Sequence, residues 1–283
     1  MNDLDFYILI SRGDDRIEVS GNSLYRPVSV KGFDFPEVSV LTESKMQLDY
    51  ETVKSRQIKS RRLYIDFQIV SLDLAEEKRK QLISFLNPKK DFTITVKRNQ
   101  RVRRINCVLE SAEIDQKNLR SFMTVKLVFL CPEPYFFGAA PISVRSFSVD
   151  PLLWFPLTTT GENGVTSGAV FKNNEFDIQN HGDAETGFNI TLESSGVVMA
   201  PEISCGDKKI KILDAMLKGD VYSISTEKQH KSIKLNGVPR FMFDRSSVFF
   251  SLPQGSSHIK VTARSGADKL RVSLSFEERY LGI

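Results

Sequence analysis

The residues able to do acid–base, nucleophilic or metal chemistry are few and scattered. The 283-residue chain has three histidines, His181, His230 and His258, too far apart in sequence for a metal-binding spacing. A nucleophilic serine or cysteine needs a base beside it, and these histidines would supply one only through distant convergence. His181 stands between Asn180 and Gly182-Asp183, a turn context. There is no phosphate-binding Gly-x-x-x-x-Gly-Lys-Ser/Thr, no Gly-x-Gly-x-x-Gly and no Gly-x-Ser-x-Gly. Cys107, Cys131 and Cys205 are too few for a disulfide framework and odd in number, so they are read as reduced, buried thiols. The chemistry therefore points to a structural, partner-binding protein and not an enzyme, with no catalytic, cofactor-binding or metal-binding residue assigned.

Three short motifs have plain structural readings. Arg12-Gly13-Asp14 matches an adhesion tripeptide, but Arg-Gly-Asp-Asp is also good turn chemistry between two strands. Asn189-Ile190-Thr191 matches the glycosylation pattern yet falls in an alternating strand, with no secretory signal ahead of it. Asp14 and Asp15 lack a third ligand and read as a solvated turn. Two segments are rich in base: Lys45 to Arg62, and Lys89 to Arg104. They could face phosphates or an acidic partner, or form the solvent side of edge strands, where lysine and arginine block aggregation. Aromatic residues do not interleave with them as base stacking requires, so specific nucleic-acid binding is not expected.

The elements that position these residues are mostly strands. Alternation puts Leu63, Ile65, Phe67 and Ile69 on one face, and Met123, Val125, Leu127 and Phe129 on another. Phe92–Val96 and Ile105–Leu109 behave similarly. One helix is expected over about 74–86, opened by an Asp73/Glu76 capping box, carrying an apolar stripe of Leu74, Leu82, Phe85 and Leu86, and stopped by Asn87-Pro88. After Cys131-Pro-Glu-Pro-Tyr-Phe-Phe-Gly138 strand pairing should end. Then come short alternating segments at 188–192, 210–213, 221–225, 233–235, 248–252, 259–263 and 270–276, separated by turn signals such as Asn236-Gly237. That pattern reads as a β-sandwich. Residues 1–140 hold 23 Lys and Arg against 19 Asp and Glu, whereas 141–283 hold 16 against 16, which supports a boundary near 140. No apolar run approaches the ~18 residues of a membrane span. The acidic opening Met1–Asp5 does not resemble a secretory signal, so folding in a cytoplasm is expected.

The order of these features resembles one family. An early strand is followed by about twenty polar residues after Leu41, then Arg61-Arg-Leu-Tyr-Ile-Asp-Phe67, the helix ending Leu86-Asn-Pro88, a basic strand, and Val125-Lys-Leu-Val-Phe-Leu-Cys-Pro-Glu-Pro-Tyr-Phe136. This is similar to the N-terminal domain of the distal tail proteins of siphophages that infect Gram-positive bacteria. Asn180-His-Gly-Asp-Ala-Glu-Thr186, Leu217–Ser225 leading to Ser232–Gly237, Phe250–Gly255 and Tyr280-Leu-Gly-Ile283 resemble that family's C-terminal domain. The resemblance covers essentially the whole chain.

The resemblance implies a mainly β protein. Residues 1–140 would form an N-terminal β-sandwich with one helix and an extended arm at about 42–60, and 141–283 a C-terminal galectin-like β-sandwich. It implies a homo-hexameric ring at the virion tail tip, assembled in the host cytoplasm. The ring would be a hub joining the tail tube protein to the tail-tip protein and to receptor-binding proteins. The arm and ring interface would then use Lys45, Met46, Leu48, Tyr50, Val53, Arg56 and Ile58. Lys97, Arg98, Arg101, Arg103 and Arg104 are candidates to face a partner. The alternative function is a carbohydrate-binding module at a cell or virion surface, for which the single tryptophan, Trp154, would be the obvious platform; its apolar neighbours favour core or interface instead.

Overall fold

A computed structural model describes the chain except for residues 1–5, 45–49, 72, 116–121, 146, 152–167 and 173. The fold divides into two units, 1–139 together with 279–283, and 140–278.

The first unit contains β1 (Phe6–Arg12), β2 (Asp15–Ser20), β3 (Tyr25–Lys31), β4 (Val38–Ser44), β5 (Glu51–Ile58), β6 (Arg61–Ile69), α1 (Ala75–Phe85), β7 (Asp91–Arg98), β8 (Arg101–Asp115), β9 (Met123–Cys131) and β10 (Phe136–Phe137). The strands run in the order β8-β7-β1-β2-β3-β6-β9, and β9 pairs back onto β8. The result is a closed seven-stranded barrel, which corrects the expected N-terminal sandwich. Alternation signals one buried face in either architecture; closure is decided by β8. This strand is 15 residues long, and its register shifts between Leu109 and Ser111. Its first half pairs with β7 and its second half with β9, and the bulge supplies the bend a barrel needs. The barrel interior holds the expected faces of β6 and β9, with Leu63, Ile65, Phe67, Ile69, Met123, Val125, Leu127 and Phe129 all buried. The thinnest seam is β2 to β3, a single parallel pair at Val19 and Tyr25. There the Ser23 hydroxyl donates to main-chain oxygens and accepts from the Ser20 and Tyr25 amides.

The helix starts at Ala75, so Asp73 falls outside the capping position and the expected box does not form; the Leu74 amide instead meets the Ser71 hydroxyl at 3.3 Å. Leu74 is exposed, and Ala75 joins Leu82 and Phe85 on the buried side. Arg12 finishes the other end. Its guanidinium donates to the Ser84 and Phe85 carbonyls at 2.9 and 2.7 Å and lies over the Phe85 ring. These are orphan carbonyls of the last helical turn, which a cation satisfies well. The Arg-Gly-Asp tripeptide is thus a turn whose arginine caps a helix, with Gly13 in the left-handed conformation at φ 61°.

Strand β9 ends at Cys131, but pairing does not stop within the Cys131–Gly138 segment as expected. It resumes at β10, which pairs with β8 and with the chain's final segment, Arg279–Tyr280. Cys107 and Cys131 are buried, and the Cys107 thiol is pushed up by its hydrogen bond with Cys131 and by burial; Cys205 is only half-buried, against expectation.

The second unit contains β11 (Ile142–Arg145), β12 (Phe147–Pro151), β13 (Gly168–Lys172), β14 (Glu175–Asn180), β15 (Phe188–Ser194), β16 (Val198–Cys205), β17 (Lys208–Lys211), β18 (Ala215–Met216), β19 (Val221–Ser225), β20 (Ser232–Leu235), β21 (Val238–Pro239), β22 (Gly255–Ser265) and β23 (Leu270–Phe276). One sheet runs β11-β23-β15-β19-β20-β21, and another β14-β22-β16-β17, with β18 beside β16. Both contribute to one buried cluster, including Phe176, Ile203 and Ile259 from one and Phe188, Tyr222 and Leu274 from the other. The expected strand at 248–252 is absent. That segment is irregular, bridging only at Leu252 to Thr186. Asn180 is buried where β14 ends; its amide nitrogen reaches the Ala184, Leu252 and Pro253 carbonyls, and its side-chain oxygen accepts the Gly182 amide. Arg279–Tyr280, now β24, returns the chain to the first unit.

One residue ties the first unit's loose ends together. Arg61 is 3% exposed, and its guanidinium donates to four carbonyls: Pro134 (3.0 Å), Gly32 (2.9 Å), Asp34 (3.2 Å) and Leu281 (2.5 Å). It also stacks on Phe136, 4.7 Å from the ring centroid. Burial lowers its pKa. Arg61→Met fills the volume but strands these acceptors, and should cost about 3 kcal/mol or more of stability. Chemical denaturation of the full chain checks this; a loss under about 0.5 kcal/mol, the usual scale of a neutral surface change, contradicts it.

Candidate assembly surface

Strands β4 and β5 form a separate two-stranded sheet, from Val38↔Ile58 to Ser44↔Glu51 in register. Its alternating β-branched residues explain the strands, but not a core, because nearly every side chain on it is exposed. Val38, Val40, Leu41, Tyr50 and Val53 are all among the chain's exposed large apolar residues, Leu41 at 62%. An isolated hairpin of this kind is marginal in water. Charges brace it locally: Lys54 pairs with Glu43 at 2.5 Å, and Lys59 with Glu37 at 2.7 Å. The lysine lowers the Glu37 pKa through hydrogen bonding and charge.

The root of the hairpin is held by several contacts. The Lys59 amide donates to the Glu37 carbonyl at 2.9 Å, so the outgoing and returning strands meet there. Gly32 has φ 88°, and a Cβ on it would run into the Arg62 carbonyl oxygen. Phe33 is buried against Phe136, 6.3 Å between centroids, while Phe35 is 82% exposed. Arg61, the first residue of β6, grips the outgoing strand through Gly32 and Asp34. Next to it, Arg62 makes a two-pronged ion pair with Glu110 at 2.7 and 3.0 Å, which lowers the Glu110 pKa.

The residues singled out from sequence therefore fall into distinct groups. Lys45, Met46 and Leu48 lie outside the described residues. Tyr50, Val53 and Arg56 sit exposed on the hairpin, and Ile58 is half-buried at its root. Among the basic residues, Arg98 and Arg101 are exposed. Arg103 is half-buried with its guanidinium 3.4 Å from the Tyr280 ring centroid. Arg104 donates to the Gly138 carbonyl and lies near Phe137, and Lys97 lies over Tyr7. Lys97, Arg103 and Arg104 are thus fastened within their own chain, whereas most of the other basic residues of the two segments are exposed. Sequence reasoning missed the roles of Arg61, which looked like one more member of the basic Lys45–Arg62 run, and of Arg12, which was read only as part of a turn. His258 lies on an exposed strand face with Asp177 at 2.8 Å and Glu175 at 3.7 Å. Trp154 lies outside the described residues.

Comparison with known proteins identifies both halves. Residues 28–131 match the phage tail protein RIFT-related domain, and residues 181–280 match the C-terminal domain of the siphovirus-type tail component. No curated protein matches. Among solved structures, the crystal structure of SPP1 Dit (gp 19.1), a hub adsorption apparatus protein of Gram-positive infecting phages, has a TM-score of 0.70 at 16% identity. That alignment covers 97% of this chain and 99% of the other. The phage p2 baseplate in its Ca-activated conformation gives a TM-score of 0.51 at 10% identity, covering 96% and 98%. Two tail-component domains in this order define a structural protein of phage tails. The chain belongs to the siphophage distal tail protein family.

The contacts separate fastening arginines from exposed ones. Replacing Arg103 by Ser should destabilise the chain by about 1 kcal/mol through the lost ring contact and packing. Replacing Arg98 and Arg101 together should stay within about 0.5 kcal/mol. Thermal melts of the variants check both values, and equal effects would contradict the distinction.

Proposed function

We propose that the chain is the ring-forming hub at the distal end of a phage tail. Six copies would close into the ring and join the tail tube to the tail-tip and receptor-binding proteins of a phage infecting Gram-positive bacteria. The second unit is then the galectin-like β-sandwich of the family, and the β4–β5 hairpin is the arm. On this reading the protein folds in the host cytoplasm and works at the virion tail tip.

The observation that carries the reading is the hairpin. Its backbone is paired and its root is held by buried contacts, but its apolar side chains are covered by nothing in its own chain among the described residues. A neighbouring copy would cover them. Each subunit then gives an arm and receives one, a heterologous contact that closes after a fixed rotation. Exposed apolar strands left free would aggregate, so a closed ring also explains how such a hairpin is tolerated. The arm begins at Val38 on this assignment, earlier than the stretch after Leu41 that stands out in sequence.

Because residues 37 and 59 are hydrogen-bonded neighbours, residues 38–58 can be replaced by a short Asn-Gly turn without pulling the barrel apart. Light scattering should give the wild-type chain a mass six times the 32.1 kDa chain mass, or that mass plus the bound partner where the ring forms only with the tail-tip protein. The shortened chain should keep its melting transition and stay monomeric. Rings of full mass from the shortened chain would refute this role of the hairpin.

A further inference from the structure

The second unit carries an exposed apolar ridge of a different build. Strand β21 ends one sheet, and the chain runs from it directly along β17, the edge of the other sheet. The Arg240 amide donates to the Ile233 carbonyl at 2.9 Å, and the Leu213 amide donates to the Met242 carbonyl at 2.8 Å. Further along, the Asp244 and Val248 amides donate to Lys211 and Lys209. Phe243 turns inward and packs edge-on against Phe249. Phe241 is thus fastened through the backbone on both sides, yet it is 84% exposed. Met242, Leu213 and Val238 beside it are also exposed. A pinned, protruding aromatic with apolar neighbours has the make-up of an interface anchor, because little conformational freedom is lost when it is buried.

The stretch of chain that carries the ridge is basic, although the Asp220 carboxylate lies close enough to Arg240 for the arginine's charge to act on it. Residues 207–248 hold nine Lys and Arg against five Asp and Glu, while the rest of the unit holds six against eleven. Arg240 and Arg245 are exposed on the ridge segment itself. The nearby Asp244 carboxylate is turned into its own turn, accepting from the Ser246 amide and hydroxyl.

We propose that this ridge docks a different protein, one presenting an apolar pocket rimmed by carboxylates. Phe241 fills the pocket, Met242 and Leu213 pack around it, and Arg240 and Arg245 meet the rim. A closed ring needs one heterologous contact per subunit; the hairpin supplies it, which leaves the ridge for another chain. The inference rests on the tail-hub reading for where that partner comes from and for assigning the ring contact to the hairpin.

The test immobilises the full-length chain and adds the purified tail tube, tail-tip and receptor-binding proteins of the same phage one at a time. One of them should bind wild type. Phe241→Ala should weaken that binding at least about tenfold. Met242→Ala should weaken it less. Arg240→Glu should slow association and flatten its dependence on salt. Ring mass and melting should stay unchanged in all three, since these side chains are exposed. Undiminished binding by both apolar variants overturns the ridge proposal and leaves the hub reading standing. Loss of ring mass in Phe241→Ala also overturns it, making a second copy the occupant. If wild type binds none of the three proteins, both readings fall.

Discussion

A buried guanidinium met by main-chain carbonyls is the constraint around which the first unit is arranged. Removing Arg61 from water would be prohibitive unless its donors were met. They are met by main-chain oxygens from three places distant in sequence: the run into the hairpin, the Pro134 turn and the C-terminal segment. A fixed planar fork can be satisfied only when all of those segments are in place. Arg61 therefore acts as a completeness condition: the hairpin root, β10 and the chain's end are placed together or the charge is left unmatched. A lysine, with three donors on a point charge, could not impose the same geometry.

Barrel closure and the clamp support each other. β8 must bend at Glu110 to reach both β7 and β9, and the residue at the bend is the one that holds Arg62. Arg61 and Arg62 point opposite ways from one strand, one into the clamp and the other to the barrel's outer surface. The C-terminal segment adds a second layer, with Arg279 paired to Glu133 at 2.9 Å and Tyr280 under Arg103. The chain thus leaves this unit after residue 139 and re-enters it at residue 279, and the second unit is an insertion tethered at both ends.

The parts of this arrangement that were legible in sequence are those governed by local period. The buried faces of β6 and β9 follow directly from alternation, and Asn236-Gly237 is the left-handed pair of a tight hairpin, at φ 51° and 82°. What was not legible depended on distant partners. A sandwich and a barrel share the same alternation, and only the bulge in β8 separates them. Arg61 sits among other basic residues and Arg12 opens an Arg-Gly-Asp-Asp turn, and nothing local distinguishes a clamp or a helix cap from a solvated charge. The Asp73/Glu76 pair had the right spacing one position out of place, because the helix start was set by burial of Ala75. The strand expected at 248–252 has the right composition, but its amides meet other partners: Val248 donates to Lys209, and Leu252 to Thr186. For the candidate surfaces, exposure could not be read from residue type: Phe241 and Phe243 are two residues apart in one aromatic run, and only the backbone hydrogen bonds decide which one faces out.

The hairpin and the Phe241 ridge share a physical logic that separates them from ordinary exposed apolar residues. Isolated surface leucines are common and need no partner. Here the backbone carrying the exposed side chains is already fixed by its own chain, through the β4–β5 ladder and the Glu37–Lys59 contact in one case and through the Ile233 and Leu213 contacts in the other. Ordering a flexible segment on binding consumes part of the interaction energy; a segment ordered beforehand keeps that energy for the contact. The conformational cost is met during folding, in the first unit largely through the Arg61 clamp, so assembly can proceed through small surfaces. In the proposed hub role, several such compact, prefixed surfaces would each form without remodelling the others.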